Sequence, residues 1–340
     1  MTSVDTTSLT PALPVEPMAA EVRRRMLRHL GLLPDGGFDQ SMIDAVLALP
    51  LSATDRRLII AEVEAVGVAA AAQADSLHVP TVVVTASPAA TVTVPPATQP
   101  VVSVVIVGYG TGTIVVDTIA SLAAAATAAH MAIEVIVVDN PHPTQPDRTM
   151  TALRLFTHGV RVVRAVANAG FGGGCELGAI YARADVLAFV NPDIVVPRGW
   201  LEPLMEALGD ESVSIVAPVL VNADGSIQEV GQTLESSGLT KPRRSVPATP
   251  RLIAVAYASA ACWLMRSAEH ERLGGFDPAY HPAYFEDADL ALRASALGGS
   301  CVVHSGVRVV HHGGCGTPDE TSSVDGQRGV FVDRWAGVLS

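Results

Sequence analysis

Between residues 101 and 221 the chain repeats one pattern, in which an unbroken apolar run is followed by a helical stretch and then by another apolar run. VVSVVIVGYG opens the series at 101–110, IEVIVVDN follows at 133–140, VRVVRAV at 160–166, VLAFVNPD at 186–193 and SIVAPVLV at 214–221. The segments between them, 113–129, 147–157, 173–183 and LEPLMEALG at 201–209, read as helices. A strand that is apolar at every position is buried on both faces, and helical crossovers of this length return the chain to the same edge of a sheet. The expected class is therefore α/β, with a mainly parallel, Rossmann-like sheet flanked by helices. In such sheets the ligand sits beyond the carboxyl ends of the strands. Asp139, Asp193, the Gly108–Gly112 loop and His311 all fall at strand ends.

Composition narrows the partners. Hydrophobic residues make up 49% of the chain and charged residues 16%, enough for a large core. A formal charge of −12 and no basic stripe argue against a nucleic-acid partner. The cysteines at 175, 262, 301 and 315 show no CxxC spacing and suit reduced thiols in the cytoplasm. MTSVDTTSLTPALPVEP has neither the basic start nor the apolar centre of a signal peptide, and no run of 18 apolar residues suggests a membrane span. Peripheral membrane association and homo-oligomerisation stay open.

The chain divides near residue 100. Residues 1–16 read as disordered. Residues 17–68 carry three helical patterns and read as a small helical unit for docking or dimerisation. Residues 69–100, rich in Ala, Val, Thr and Pro, read as a linker, although TVTV would also suit two edge strands. The α/β domain is expected over 101–315, and 316–340 as a C-terminal tail.

GYGTGT after the first strand invites comparison with a dinucleotide-binding turn. That motif needs glycine at 108, 110 and 113, and position 113 is Thr; Asp139 also lies 31 residues past Gly108 instead of about 20. A nicotinamide dehydrogenase is a poor match. Other motifs carry more. NAGFGGGCELG at 168–178 is a glycine-dense loop entering a helix, suited to close approach of backbone N–H groups to an anionic ligand. NPD at 191–193 ends a strand with a carboxylate. Together with a second acidic cluster and His311–His312, it makes Asp193 a candidate ligand for a hard divalent ion, Mg2+ or Mn2+. HPAYFEDADLALR at 281–293 places Glu286, Asp287 and Asp289 at the start of a helical run. The helix dipole favours carboxylates there, so the cluster also has a purely structural reading.

Taken in order, VVSVVIVGYG, VIVVDN, NAGFGGGCELG, FVNPD, GGFDPAYHPAYFEDADLALR and VVHHGG resemble the inverting glycosyltransferases of family 2, with the GT-A fold, and most nearly their rhamnosyltransferase-type branch. The resemblance covers roughly 101–315. It implies a nucleotide-diphosphate sugar donor (dTDP or UDP, with dTDP-L-rhamnose first) and a saccharide or lipid-linked acceptor. It makes Asp287 the catalytic base, with Glu286 beside it facing the acceptor. Asp139 would contact the nucleotide base, Asp193 and His311 would lie at the metal and diphosphate, with His312 as the substitute for His311, and Gly170, Gly172 and Gly173 would line the donor-sugar pocket. Gly108, Tyr109, Asn168, Phe171 and Asn191 complete the donor-binding set. Asp289 and Arg293, one helical turn apart, are expected to be structural. The chain departs from the family pattern at Gly108-Tyr109-Gly110, at Pro141-His142-Pro143 and at Cys175-Glu176. These departures leave room for a catalytically weak, nucleotide-binding or scaffold protein that recruits a partner through its helical N-terminal unit.

Overall fold

The structure, a computed structural model, describes residues 21–22, 25–26, 80–313 and 320–339. Most of the expected helical unit at 17–68 and the expected disordered stretch lie outside the described residues. Within it, Val22 and Met26 are buried and Arg25 reaches Asp277.

One mixed sheet organises the molecule. Its parallel half runs β5 (Thr157–Arg164), β4 (Ile133–Asn140), β3 (Val102–Tyr109) and β6 (Val186–Val190). Beyond β6 the order continues through β13 (Cys262–Arg266), β8 (Val213–Val221), β14 (Ser300–His311) and β12 (Leu252–Val255). β13 is antiparallel to both β6 and β8, whereas β14 is parallel to β8. The strands alternate their side chains between two cores. Val104 and Ile106 of β3, with Val135 and Val137 of β4, face one core shared with α1 (Ile114–Ala129), α2 (Arg148–Phe156) and α4 (Leu201–Ala207). Val105, Val107, Ile136 and Val138 face the other, shared with α3 (Gly170–Ile180) and α6 (Glu286–Ala296). Two buried faces explain why these strands are apolar throughout.

Two boundaries differ from the sequence reading. Residues expected to be linker form β1 (Thr81–Ala86), antiparallel to β5, and β2 (Val92–Thr93), parallel to it. Both lie at the sheet's edge, where Thr-rich, half-exposed strands look like linker. The expected C-terminal tail contains α7 (Glu320–Leu339), which buries Phe331 and Trp335 in the second core. Among the described residues, no helix is long and apolar enough to cross a membrane.

Candidate active site

The parallel strands end together. Gly108 pairs in register with Asp139, and Tyr109 with Asn140. Asp139 is fully buried, and neither carboxylate oxygen has a hydrogen-bond partner among the described residues. Its nearest cation is Arg164 at the end of β5, 3.4 Å from Oδ2, and Arg164 also binds Asp147 at 2.7 Å. Burial pushes the Asp139 carboxyl up to about 6; Arg164 opposes the rise and Asp147 adds to it. The neighbouring loop is braced by protein. The Tyr109 ring lies 4.7 Å from that of His142, Gly110 (φ +64°) leaves no room for a side chain beside the same imidazole, and Thr111 N–H donates to Thr149. The two departures from the family pattern on either side of this loop thus contact each other.

At the ends of β6 and β14 the structure brings Asn191, Asp193 and His311 together. His311 pairs with Ile194 of β7 (Ile194–Val195), antiparallel to β14. His311 Nδ1 lies 2.9 Å from Gln228 Oε1, which can only accept, so Nδ1–H donates there and in the neutral ring Nε2 is the acceptor. Nε2 sits 3.5 Å from Asp193 Oδ1 and 3.4 Å from Asn191 Nδ2. His312 is exposed and meets Asp193 only through its backbone N–H, which distinguishes the two histidines. Among the described residues no group of three or more His, Cys, Asp or Glu forms a metal cage. Asp193 and His311 are an open pair of donors, suited to an ion that takes its remaining oxygens from a bound ligand.

The three carboxylates of α6 separate into two kinds. Asp289 is completely compensated: Arg293 and Arg334 pair with it at 2.8 and 3.0 Å, and Trp335 Nε1–H and the Tyr280 hydroxyl donate to Oδ1. Against the upward push of burial, the two arginines hold its carboxyl below the usual range. Among the described residues, Glu286 and Asp287 have no such cation. Asp287 accepts from the backbone N–H groups of Ala288 (2.8 Å) and Ala260 (3.4 Å), and buried Glu286 Oε2 has no hydrogen-bond partner among the described residues. Burial pushes Asp287 up to about 6, with the charge of Glu229 adding to it, and burial with the charge of Asp287 raises Glu286 further. A helix dipole is worth about 0.3–1 kcal/mol per charge at an exposed end, whereas burying an ion costs several kcal/mol. The dipole is thus too weak to offset the charge of a buried Glu286. The backbone presenting them is also strained: Tyr284 and Phe285 both adopt left-handed conformations, at φ 83° and 70°.

Close packing accounts for several glycines of the glycine-rich segment. Gly170 (φ +75°) packs against His281 and Pro282, whose carbonyl accepts from Phe171 N–H at 2.7 Å, and a side chain at Gly172 would meet Phe276 and Glu286. Gly174 and Gly178 leave space for Val107 and Val105, where a Cβ would come within 2.7 and 2.3 Å of a methyl. These glycines let α3 approach the sheet closely; at Gly170 and Gly172 the close neighbours are protein atoms. Gly173 is buried in the same helix, and Asn168 accepts from Gly170 N–H. Sequence reasoning passed over four residues. Asn140 ties the end of β4 to α3 through Ala169 and Gly170. Arg164, the cation facing Asp139, could have been found from its position at a strand end. Gln228 and Glu229 belong to β9 (Ile227–Glu229), and no motif marks them. Glu229 accepts from Ser259 N–H and Gln232, and burial raises its carboxyl.

The sequence profile described as Glycosyl transferase family 2 matches residues 103–274, just over half of the chain. The chain belongs to that family. Among curated relatives, the pre-mycofactocin glycosyltransferase of Mycobacterium tuberculosis is 32% identical over 122 residues, 36% of this chain and 25% of that protein. Polypeptide N-acetylgalactosaminyltransferase 4 of Mus musculus is 32% identical over 96 residues, 27% of this chain and 16% of that protein. The chain thus spans a quarter or less of these two relatives. Among solved structures, GalNAc-T7 with UDP, GalNAc and Mn2+ superposes with a TM-score of 0.53 at 15% identity, covering 70% of this chain and 48% of that one. That likeness shows the fold, a GT-A-like α/β domain with a mixed central sheet.

Proposed function

We propose that this family 2 chain transfers a hexose from a nucleotide-diphosphate sugar to an acceptor hydroxyl with inversion at the anomeric carbon, Asp287 acting as general base. The observation that carries the reading is the contrast within α6: Asp289 is neutralised by two arginines, while buried Glu286 and half-buried Asp287, a few residues away, have no cation beside them among the described residues. A carboxylate with a pKa near 6 is ionised at neutral pH, yet basic enough to take a proton from an attacking hydroxyl. Glu286, with one oxygen unpartnered, faces the acceptor in this reading. Asp139 receives a ring N–H of a pyrimidine base, which supplies the donor its buried oxygens lack. Tyr109 and Asn191 border the donor.

Asp193 and His311 would hold a Mg2+ or Mn2+ ion, and such an ion, when bound, would offset the charge of the diphosphate leaving group. Gln228 fixes the His311 tautomer that leaves Nε2 unprotonated. The Mn2+ in the GalNAc-T7 structure makes that ion the first to test. dTDP-L-rhamnose is the first donor to try, on the sequence resemblance, with UDP-hexoses beside it. The acceptor is a saccharide or a lipid-linked saccharide, and a cytoplasmic setting belongs to the same reading.

The test is Asp287→Asn, which keeps the shape and removes the basic oxygen. Donor binding should survive while transfer falls at least about 100-fold. An Asn variant that transfers at the native rate removes Asp287 from the role.

A further inference from the structure

The geometry points to Arg334 as a positioning residue, and to the C-terminal helix α7 as a clamp holding the turn that presents Glu286 and Asp287. The inference rests on the proposed role of those two carboxylates. The turn is bounded by two buried aspartates, Asp277 before it and Asp289 after it. Arg334 reaches both, with Nη2 at 2.6 Å from Asp277 Oδ2 and Nη1 at 3.0 Å from Asp289 Oδ1. Its guanidinium also lies over the Tyr280 ring, 5.3 Å from the centroid. Further contacts from α7 land on the same turn. Phe331, fully buried, packs on Phe285 with ring centroids 5.2 Å apart, Trp335 donates to Asp289, and Gln327 donates to the carbonyl of His281.

Strained backbone persists only where its surroundings over-determine it. Two consecutive non-glycine residues with positive φ, Tyr284 and Phe285, immediately precede Glu286, and Phe331 covers the second. α7, like the turn and the carboxylates it supports, lies beyond residues 103–274 matched by the family profile.

Arg334 is not needed to neutralise either aspartate. Asp277 keeps Arg25 at 2.6 Å, and Asp289 keeps Arg293 at 2.8 Å. What Arg334 supplies is a direct tie between the two aspartates at the ends of the turn, which Tyr280, through Asp289, and Arg293, through Asp289 and the Leu273 carbonyl, also help to close. Its loss should leave a folded protein whose turn is loose.

The experiment uses the full chain with Arg334→Gln, and Phe331→Leu as a second variant that loosens the turn without altering charge. Three quantities are read: backbone amide exchange across 283–288, the Kd of an intact nucleotide sugar, and kcat for transfer. Exchange in that segment should become at least about tenfold faster, kcat should fall about 10- to 100-fold, and donor Kd should stay within about twofold. Arg334→Lys should recover less than half the lost rate, because one ammonium does not span two carboxylates as a planar guanidinium does. Unchanged exchange, or faster exchange with native kcat, would overturn the clamp, as would kcat and donor affinity falling together. Asp287→Asn, with Arg334 intact, reads the base assignment separately: full activity there alongside a slow Arg334→Gln would keep the clamp and discard the base.

Discussion

If Asp139 receives a base N–H, donor affinity must depend on pH in a definite direction. The free protein holds this carboxyl near 6, raised from 3.8 by burial. At pH 5 only about one molecule in eleven is then ionised, against nearly all at pH 8. A ligand N–H bonded to the carboxylate favours the charged form, so the bound state keeps Asp139 ionised at lower pH. The apparent Kd for a pyrimidine nucleotide sugar should therefore be about tenfold weaker at pH 5 than at pH 8, the factor set by the protonated fraction. The stability of the free protein follows the matching sign. Because the folded pKa lies above the unfolded one, the folded state binds the proton more tightly and loses stability as pH rises from about 4 to about 6. The thermal shift given by ligand should accordingly be larger at pH 8 than at pH 5. The assay is calorimetric titration with an intact nucleotide sugar, whose diphosphate carries no group titrating in this range. Asp139→Asn should abolish the slope and weaken binding at pH 8 by about 10- to 100-fold, the worth of one hydrogen bond to a charged group. Native affinity that is flat between pH 5 and 8, or a slope that persists in the Asn variant, would refute the reasoning.

Two further outcomes are expected. Asp193→Ala should abolish any gain in donor affinity from Mg2+ or Mn2+, since one of two protein donors is lost; native transfer untouched by EDTA would show that no ion takes part. The product's anomeric coupling in NMR should report inversion, because one base and no enzyme nucleophile suit a single displacement, and retention would remove both the mechanism and the role of Asp287.

The parallel half of the fold was legible because burial on both faces writes itself as unbroken apolar runs, and the i, i+4 spacing of Asp289 and Arg293 announced their ion pair. β1 was not legible. Val82 and Val83 are half-buried and Val84 is exposed, so an edge strand of Thr and Val reads like linker. Nor was α7, whose valines follow no single face and whose fully buried apolar residues, Phe331 and Trp335, stand amid three glycines. The candidate site divided in the same way. Strand ends pointed to Asp139, Asp193 and His311, because chain direction alone places them on one edge. Glu229, Gln228 and Arg334 reach the site from elements whose placement depends on tertiary packing, which leaves no local signal. The glycines at 170 and 172 show a related limit: a sequence marks where space is needed, not which atoms fill it.

The reversed direction of β13 has a consequence for alignment. Chain enters β13 at the edge where β6 ends, so the residues just before it, Ser259 to Ala261, arrive beside the carboxylates. Asn191 N–H bonds to Ala261 O at 2.7 Å, and Ala260 N–H reaches Asp287. Sliding β13 by one residue would carry that loop about 3.3 Å along the sheet and turn Trp263 out of its stack on Phe276, whose ring plane lies within 8° of its own. Trp263, wholly enclosed, thus acts as the index mark for the register that places Ser259 to Ala261 beside Asp287.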